Sequence, residues 1–127
     1  MTTDAIKKNI LVVDDDEAQL FMIKVLLADE FDVATAKSGK EALDLIYKGL
    51  VPDLVLLDIM MPEMDGWETF NRMRAISFLH KAPIIIITSF GGEPEKKKAE
   101  ALGAADFIMK PLSKNDLLGR ISRVLNP

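Results

Sequence analysis

The stretch Asp53–Gly66, DLVLLDIMMPEMDG, constrains the fold of this chain more than any other. A short apolar run bounded by turn residues fits a strand buried on both faces, as in a parallel sheet covered by helices. Asp58 then stands where a central strand stops, and in open α/β sheets that edge is where ligands bind. Aspartates at strand ends also serve as ordinary turn and cap residues. A chemical role for Asp58 therefore depends on whether other strands deliver matching groups to the same edge.

Taken in order, Asn9–Val13 (NILVV) is an apolar run ending in Asp14, Asp15 and Asp16, so acidic groups again follow a strand. Glu17–Ala28 is long enough for a helix, and its acidic start suits the positive end of the helix dipole. Phe31–Ala36 reads as a second strand. Ser38, with Glu41 three residues on, has capping-box spacing for a helix that Gly49 and Pro52 end. After strand three, Asp65 caps a helix whose Trp67, Phe70 and Met73 fall on one face as core. Pro83 opens strand four, IIIIT, which ends at Thr88 and Ser89. Pro94 is predicted at the first position of a helix that stops at Gly103. Ala105–Met109 is a fifth strand ending at Lys110–Pro111, and Ser113 caps a last helix reaching Leu125.

A chain of 127 residues, 49% hydrophobic and 28% charged, predicts one domain over 1–127 with a substantial core. It has no cysteine, which excludes a disulfide framework, a thiolate metal site and a cysteine nucleophile. A formal charge of −4 without a basic stripe argues against direct nucleic acid binding. The N-terminal MTTDAIKKNI lacks the apolar core of a signal peptide, and no apolar run is long enough to span a bilayer. A cytoplasmic protein without membrane association is the expectation.

Five strands alternating with five helices predict an α/β, doubly wound, five-stranded parallel sheet, because each right-handed crossover places a helix on one face. The flavodoxin-like order 2-1-3-4-5 puts the carboxyl ends of strands one and three beside the ligand crevice. Asp14 and Asp15 end strand one, Asp58 strand three, Thr88 strand four and Lys110 strand five. Three carboxylates, a hydroxyl and an ammonium at one edge exceed what capping needs. Clustered carboxylates repel one another unless a cation shares the site. Magnesium fits better than zinc, since no histidine or cysteine lies at this edge. Asp15 and Asp58 are expected as direct ligands, Asp14 as a ligand through water, and the Met60 carbonyl as the remaining protein oxygen. Asp58 can then act as nucleophile and form an aspartyl phosphate, with Thr88 and Lys110 on the phosphoryl oxygens. His80, the single histidine, lies before strand four and reads as a solvated surface residue.

These residues resemble the receiver domains of two-component response regulators, including the single-domain chemotaxis forms. The resemblance covers essentially the whole chain: the acidic pair in ILVVDDD, then LVLLDIMMPEMDG, the strand end IIIITS, and GAADFIMKPL. It implies that Asp58 takes a phosphoryl group from the phosphohistidine of a sensor histidine kinase or histidine phosphotransfer protein. It further implies that Asp14 and Asp15 hold magnesium, Thr88 is the switch hydroxyl, Phe107 the switch aromatic, and Lys110 the partner of the phosphate. Lys110–Pro111 matches the family's cis peptide, which proline makes accessible at modest cost. Such a domain promotes its own phosphotransfer and dephosphorylation, but is a signalling module rather than an enzyme.

Rival classes explain less. A hydrolase of the haloacid-dehalogenase type also uses an aspartate, magnesium, a threonine and a lysine, with its nucleophile after the first strand in a DxD pattern. Asp14 and Asp16 form DxD, but that reading leaves MPEMDG after Asp58 without a role. A pseudo-receiver that binds partners without phosphorylation is opposed by the intact set Asp14, Asp15, Asp58, Thr88 and Lys110. A flavin-binding domain is opposed by the lack of a phosphate-cradling glycine loop after strand one.

Departures from the family pattern carry their own expectations. Phe107 lacks the hydroxyl of the tyrosine in the chemotaxis protein. Met60 and Phe90, two residues after Asp58 and Thr88, stand where polarity in the family influences access of the hydrolytic water; both are large and apolar, so slow autodephosphorylation is expected. In the first helix, Met22, Ile23, Leu26 and Leu27 sit at core-stripe spacing, leaving Leu20, Phe21 and Val25 to point elsewhere. That predicts a partner surface for a kinase's helical hairpin, an adjoining domain or a second copy of the chain as a homodimer. The alternative is a rotated helix that packs these residues under adjacent loops. By resemblance, Asp16, Gln19 and Met22 would touch the histidine-bearing helices of the donor. Lys96–Lys98 reads as a solvated helix face, and Trp67 as near enough to the site to report on it by fluorescence.

Overall fold

The apolar runs become strands, and the segments between them become helices. The computed structural model describes residues 6–61, 64–89 and 91–127. In chain order they form β1 (Lys8–Val13), α1 (Glu17–Leu27), β2 (Phe31–Ala36), α2 (Gly39–Tyr47), β3 (Leu54–Asp58), α3 (Gly66–Arg74), β4 (Ile84–Thr88), α4 (Glu93–Leu102), β5 (Asp106–Met109) and α5 (Lys114–Leu125). All five strands pair in parallel in one sheet, ordered β2-β1-β3-β4-β5 as expected.

Alternation along the inner strands divides the interior into two cores, since successive side chains point to opposite faces of a sheet. Leu11, Val13, Val55, Leu57, Ile84 and Ile86 enter one core with Ile46, Phe70, Met73 and Ala99 from α2, α3 and α4. Ile10, Val12, Leu54, Leu56, Ile85 and Ile87 enter the other with Ile23, Leu27, Leu117 and Ile121 from α1 and α5. Full burial of each such side chain contributes roughly 1.5–3 kcal/mol. β3 and β4 are buried along their whole length, which explains why their sequences show no alternation of polarity.

Three of the helices start at the expected caps, Ser38, Asp65 and Ser113, and α1 starts at Asp16, a cap the sequence reading did not name. The side chains of Asp16, Ser38, Asp65 and Ser113 accept hydrogen bonds from backbone N–H groups two or three residues on. Each bond satisfies one of the N–H groups that a helix start leaves orphaned, worth about 1 kcal/mol. α4 ends at Gly103, whose φ of 90° is the left-handed conformation that glycine adopts without penalty. Asp53, read only as a strand boundary, ties the far edge of the sheet: its Oδ2 accepts from Asn9 N at 2.7 Å and its own N–H donates to Asn9 O at 2.8 Å.

The structure corrects the reading of α1. Leu20 is 6% exposed and belongs to the core with Ile23 and Leu27, so it does not point elsewhere and drops out of any partner surface. Met22, assigned to the inner face, is exposed, and Leu26 lies at the flank, half-buried. At about 100° per residue, positions 20, 23 and 27 share a narrow sector, while 21, 22 and 25 lie opposite. A helix apolar on several sides offers more than one stripe, and the packing of the sheet chooses among them. Phe21 and Val25 do stand exposed, at 71% and 59%.

Two smaller differences concern the connections. Pro94 occupies the second rather than the first position of α4. Between α3 and β4 a 3-10 turn, Ser77–Leu79, forms around the buried Leu79. It is closed by Arg74, whose Nη1 donates to Leu79 O at 3.1 Å and Ala82 O at 2.6 Å while the guanidinium lies over the Phe70 ring. His80 follows this turn and is exposed.

Candidate functional site

Three strand ends converge on one crevice. Asp14, directly after β1, is fully buried; Asp58, the last residue of β3, is 4% exposed; Asp15 is open to solvent. Carboxylate oxygens from these three lie within 4.8 Å of one another. Lys110, just after β5, reaches across the sheet edge to place Nζ 2.6 Å from Asp14 Oδ2 and 3.3 Å from Asp58 Oδ2. The remaining oxygens are held by backbone: Asp16 N donates to Asp14 Oδ1 at 2.9 Å, and Met60 N donates to Asp58 Oδ1 at 3.0 Å.

Thr88 ends β4 fully buried, and its carbonyl accepts from Lys110 N at 2.8 Å, joining the ends of β4 and β5. Phe107 is half-buried against the first core. Gly91 lies beside both, since a Cβ built on it would stand 3.2 Å from Phe107 Cζ and 3.5 Å from Thr88 Cγ2. Lys110–Pro111 is a cis peptide. Met60 exposes about half its surface, at 53%, while Phe90 lies outside the described residues, as do Pro62 and Glu63 of the loop after β3.

Burial and the nearby Asp14 charge push the Asp58 carboxyl up to about 6, against the opposing pull of the Met60 N–H and the Lys110 ammonium. Burial works to lower Lys110, but its hydrogen bond to Asp14 and the charges of both aspartates outweigh that and raise it above the ordinary lysine value. Lysine therefore stays cationic, while Asp58 carries a carboxylate poorly solvated and close to like charge. That donor set, all oxygen and all anionic, fits a hard divalent cation such as magnesium and not a nitrogen- or sulfur-seeking metal.

One residue of the site went unrecognised in the sequence. Gly66 follows the α3 cap, and a Cβ there would collide with the Asp58 carbonyl oxygen and Ile59 Cα; its N–H also donates to Ile59 O at 3.2 Å. Only glycine lets the start of α3 close this tightly on the turn that holds Asp58. The signal was present in MDG, but it reads as turn punctuation until the return of the loop is seen.

Other side chains singled out in the sequence fall away from the carboxylates. Asp16 is the exposed cap of α1, Gln19 is half-buried, and Phe21, Met22 and Val25 line the outer side of that helix. The Gln19 Nε2 atom is buried without a hydrogen-bond partner among the described residues. Lys96, Lys97 and Lys98 are all exposed, as expected of a solvated face, and Lys98 Nζ in addition lies over the Trp67 ring.

A five-stranded flavodoxin-like sheet with an acidic pair, a third aspartate and a lysine at the ends of β1, β3 and β5 defines the class of receiver domains. Residues 10–122 match the response regulator receiver domain family, and the chain belongs to that family. Chemotaxis protein CheY of Halobacterium salinarum is 40% identical over 119 residues, covering 93% of this chain and 97% of that protein. Transcriptional regulatory protein CpxR of Escherichia coli K12 is 38% identical over 117 residues, 91% of this chain but 48% of CpxR, so the chain spans about half the length of that relative. Among solved structures, the chemotaxis protein CheY4 of Vibrio cholerae superposes with a TM-score of 0.88 at 31% identity, covering 94% of this chain and 99% of that one. The chain is thus a receiver of two-component signalling. Among the described residues no helix is long and apolar enough to cross a membrane.

Proposed function

We propose that this receiver accepts a phosphoryl group on Asp58 from the phosphohistidine of a sensor histidine kinase or a histidine phosphotransfer protein, in a magnesium-dependent reaction, and changes conformation to signal to a partner. The observation that carries this reading is the convergence of three carboxylates within 4.8 Å, with the Lys110 ammonium bridging two of them. A carboxylate oxygen of Asp58 attacks phosphorus, the P–N bond to the donor imidazole breaks, and the imidazole departs with a proton. The Met60 N–H orients the Asp58 carboxylate for this attack. Asp14, Asp15, Asp58 and the Met60 carbonyl would hold magnesium, which supplies the positive charge that lets an anionic phosphoryl group approach an anionic nucleophile. Lys110 and the Thr88 hydroxyl take up phosphoryl oxygens as charge develops on them.

The switch runs through Thr88 and Phe107, and the place of Gly91 beside both side chains supports this part of the reading. Slow loss of the phosphoryl group follows from the apolar Met60 beside the site, with Phe90 as its expected counterpart. Asp16, Gln19 and Met22 form the donor-facing surface, extended by Phe21 and Val25, which a second copy of the chain or an adjoining domain would also cover. A single sheet clothed on both faces supports treating 1–127 as one receiver domain. A cytoplasmic location, no membrane association and no direct nucleic acid binding by a chain of net charge −4 complete the proposal.

Incubation with a small phosphodonor and magnesium, followed by intact mass measurement, tests it. The wild type gains one phosphoryl group, whereas Asp58→Asn and chelator-treated wild type do not. An unchanged gain in Asp58→Asn overturns the assignment of the acceptor; an unchanged gain in chelator removes the metal.

A further inference from the structure

Helix α4 buries fewer side chains than any other of the five helices. Its sequence EPEKKKAEAL buries one side chain, Ala99, whereas α1 buries Leu20, Ile23 and Leu27, and α5 buries Leu117 and Ile121. An alanine removes little apolar area from water, so packing alone holds α4 weakly to the sheet. α4 packs chiefly against β5, and openings run along that seam. A cavity of about 130 Å³ is lined by Lys96, Ala99, Glu100, Ala104 and Phe107, and a second of about 540 Å³ opens beside Gly91, Lys96, Phe107 and Arg120.

Toward α3 there is instead a directed contact. Lys98 Nζ lies 4.6 Å from the centroid of the Trp67 ring. Trp67 is half-buried against the first core, in the first turn of α3, next to the Gly66 that closes on the Asp58 turn. Its position is therefore fixed by the core on one side and by the acceptor loop on the other. An ammonium over an indole face is the strongest of the ordinary cation–π pairings. Of the three consecutive lysines, Lys98 alone makes such a contact among the described residues.

We infer that the Lys98–Trp67 contact is a latch that holds α4 against α3 in the unphosphorylated receiver and opposes the phosphorylated arrangement; the inference rests on the reading of Asp58 as phosphoacceptor. The segment from Thr88 to α4 is short and includes Gly91, where an added Cβ would stand against both Phe107 and Thr88. Movement of Thr88 toward a phosphoryl group draws on the start of α4, and the latch resists. A contact made only in the resting arrangement shifts the balance toward that arrangement by its own free energy.

The test uses Lys98→Met, which keeps the aliphatic stem without the charge, and Lys98→Arg, which keeps a cation for the ring. Amide hydrogen exchange in α4 is measured without phosphodonor, and binding of beryllofluoride with magnesium is measured by calorimetry. Lys98→Met is expected to speed α4 exchange and tighten beryllofluoride binding, each by about two- to fivefold, the range set by an exposed cation–π pair. Lys98→Arg restores wild-type values for both. Unchanged exchange and affinity in Lys98→Met, or failure of Arg to restore them, overturns the latch. Faster exchange without tighter binding leaves a structural contact and overturns its regulatory role. Absence of beryllofluoride binding to the wild type instead removes the phosphoacceptor reading, and with it the coupling.

Discussion

Asp58 is kept ionised at a cost to stability. Its carboxyl sits at about 6 in the folded chain against 3.8 for the free group, chiefly because it is buried. Between those values the native state binds more protons than the unfolded chain, so stability falls as pH rises through the window. The stabilising contribution of the protonated acid is fully present below 3.8 and is lost as pH rises through about 6. Asp58→Asn has no such titration. In chelator, its stability relative to wild type should grow from near zero at pH 4 to roughly 1–3 kcal/mol at pH 7. Urea melts across this range measure it, and a pH-independent difference would contradict the burial of the acid. The place of Asp58 at the end of a central strand was legible from an apolar run followed by MPEMDG. That clustered carboxylates repel was legible too, but the extent of the Asp58 pKa rise was not, because that depends chiefly on the depth to which the sheet buries it and then on Asp14, 44 positions earlier in the chain.

At the scale of elements, α1 separates pattern from packing. EAQLFMIKVLL has apolar residues on nearly every side, and periodicity alone favoured a stripe that excluded Leu20. The sheet selects Leu20, Ile23 and Leu27. Leu20→Glu therefore buries a charge and should cost about 3 kcal/mol or more, with a large drop in Tm. Phe21→Glu, on the exposed side, should melt within about 0.5 kcal/mol of wild type. Thermal unfolding of the two variants distinguishes them; equal losses would mean that Phe21 is covered within the folded chain. By contrast, the caps at Ser38, Asp65 and Ser113 were readable in advance, because each bond spans only three residues and needs no distant partner.

Over the whole molecule, the sheet isolates two interiors that meet only through the strands. Ile23 lies in the interior under α1 and α5, and Ile46 in that under α2, α3 and α4. Ile23→Val and Ile46→Val should each cost about 0.5–1.5 kcal/mol. Their effects should add to within roughly 0.5 kcal/mol in the double variant, since the two side chains lie in different cores. Denaturant titration of the singles and the double measures the coupling; a larger departure would show that the sheet transmits strain between its faces.

The sequence alone determined the number and order of strands and α-helices, the caps of three helices, and which residues stand at strand ends. Apolar runs, turn residues and capping side chains act over a few positions, so their effect is written locally. The parallel order β2-β1-β3-β4-β5 was also inferable, because right-handed crossovers leave few alternatives. Only the tertiary structure decided the rotation of α1, the reach of Lys110 to Asp14 and Asp58, the close approach of Gly66 to the Asp58 turn, and the seating of Lys98 on Trp67. Each of these joins residues from different elements, and its geometry follows from how the helices settle on the sheet rather than from any spacing along the chain.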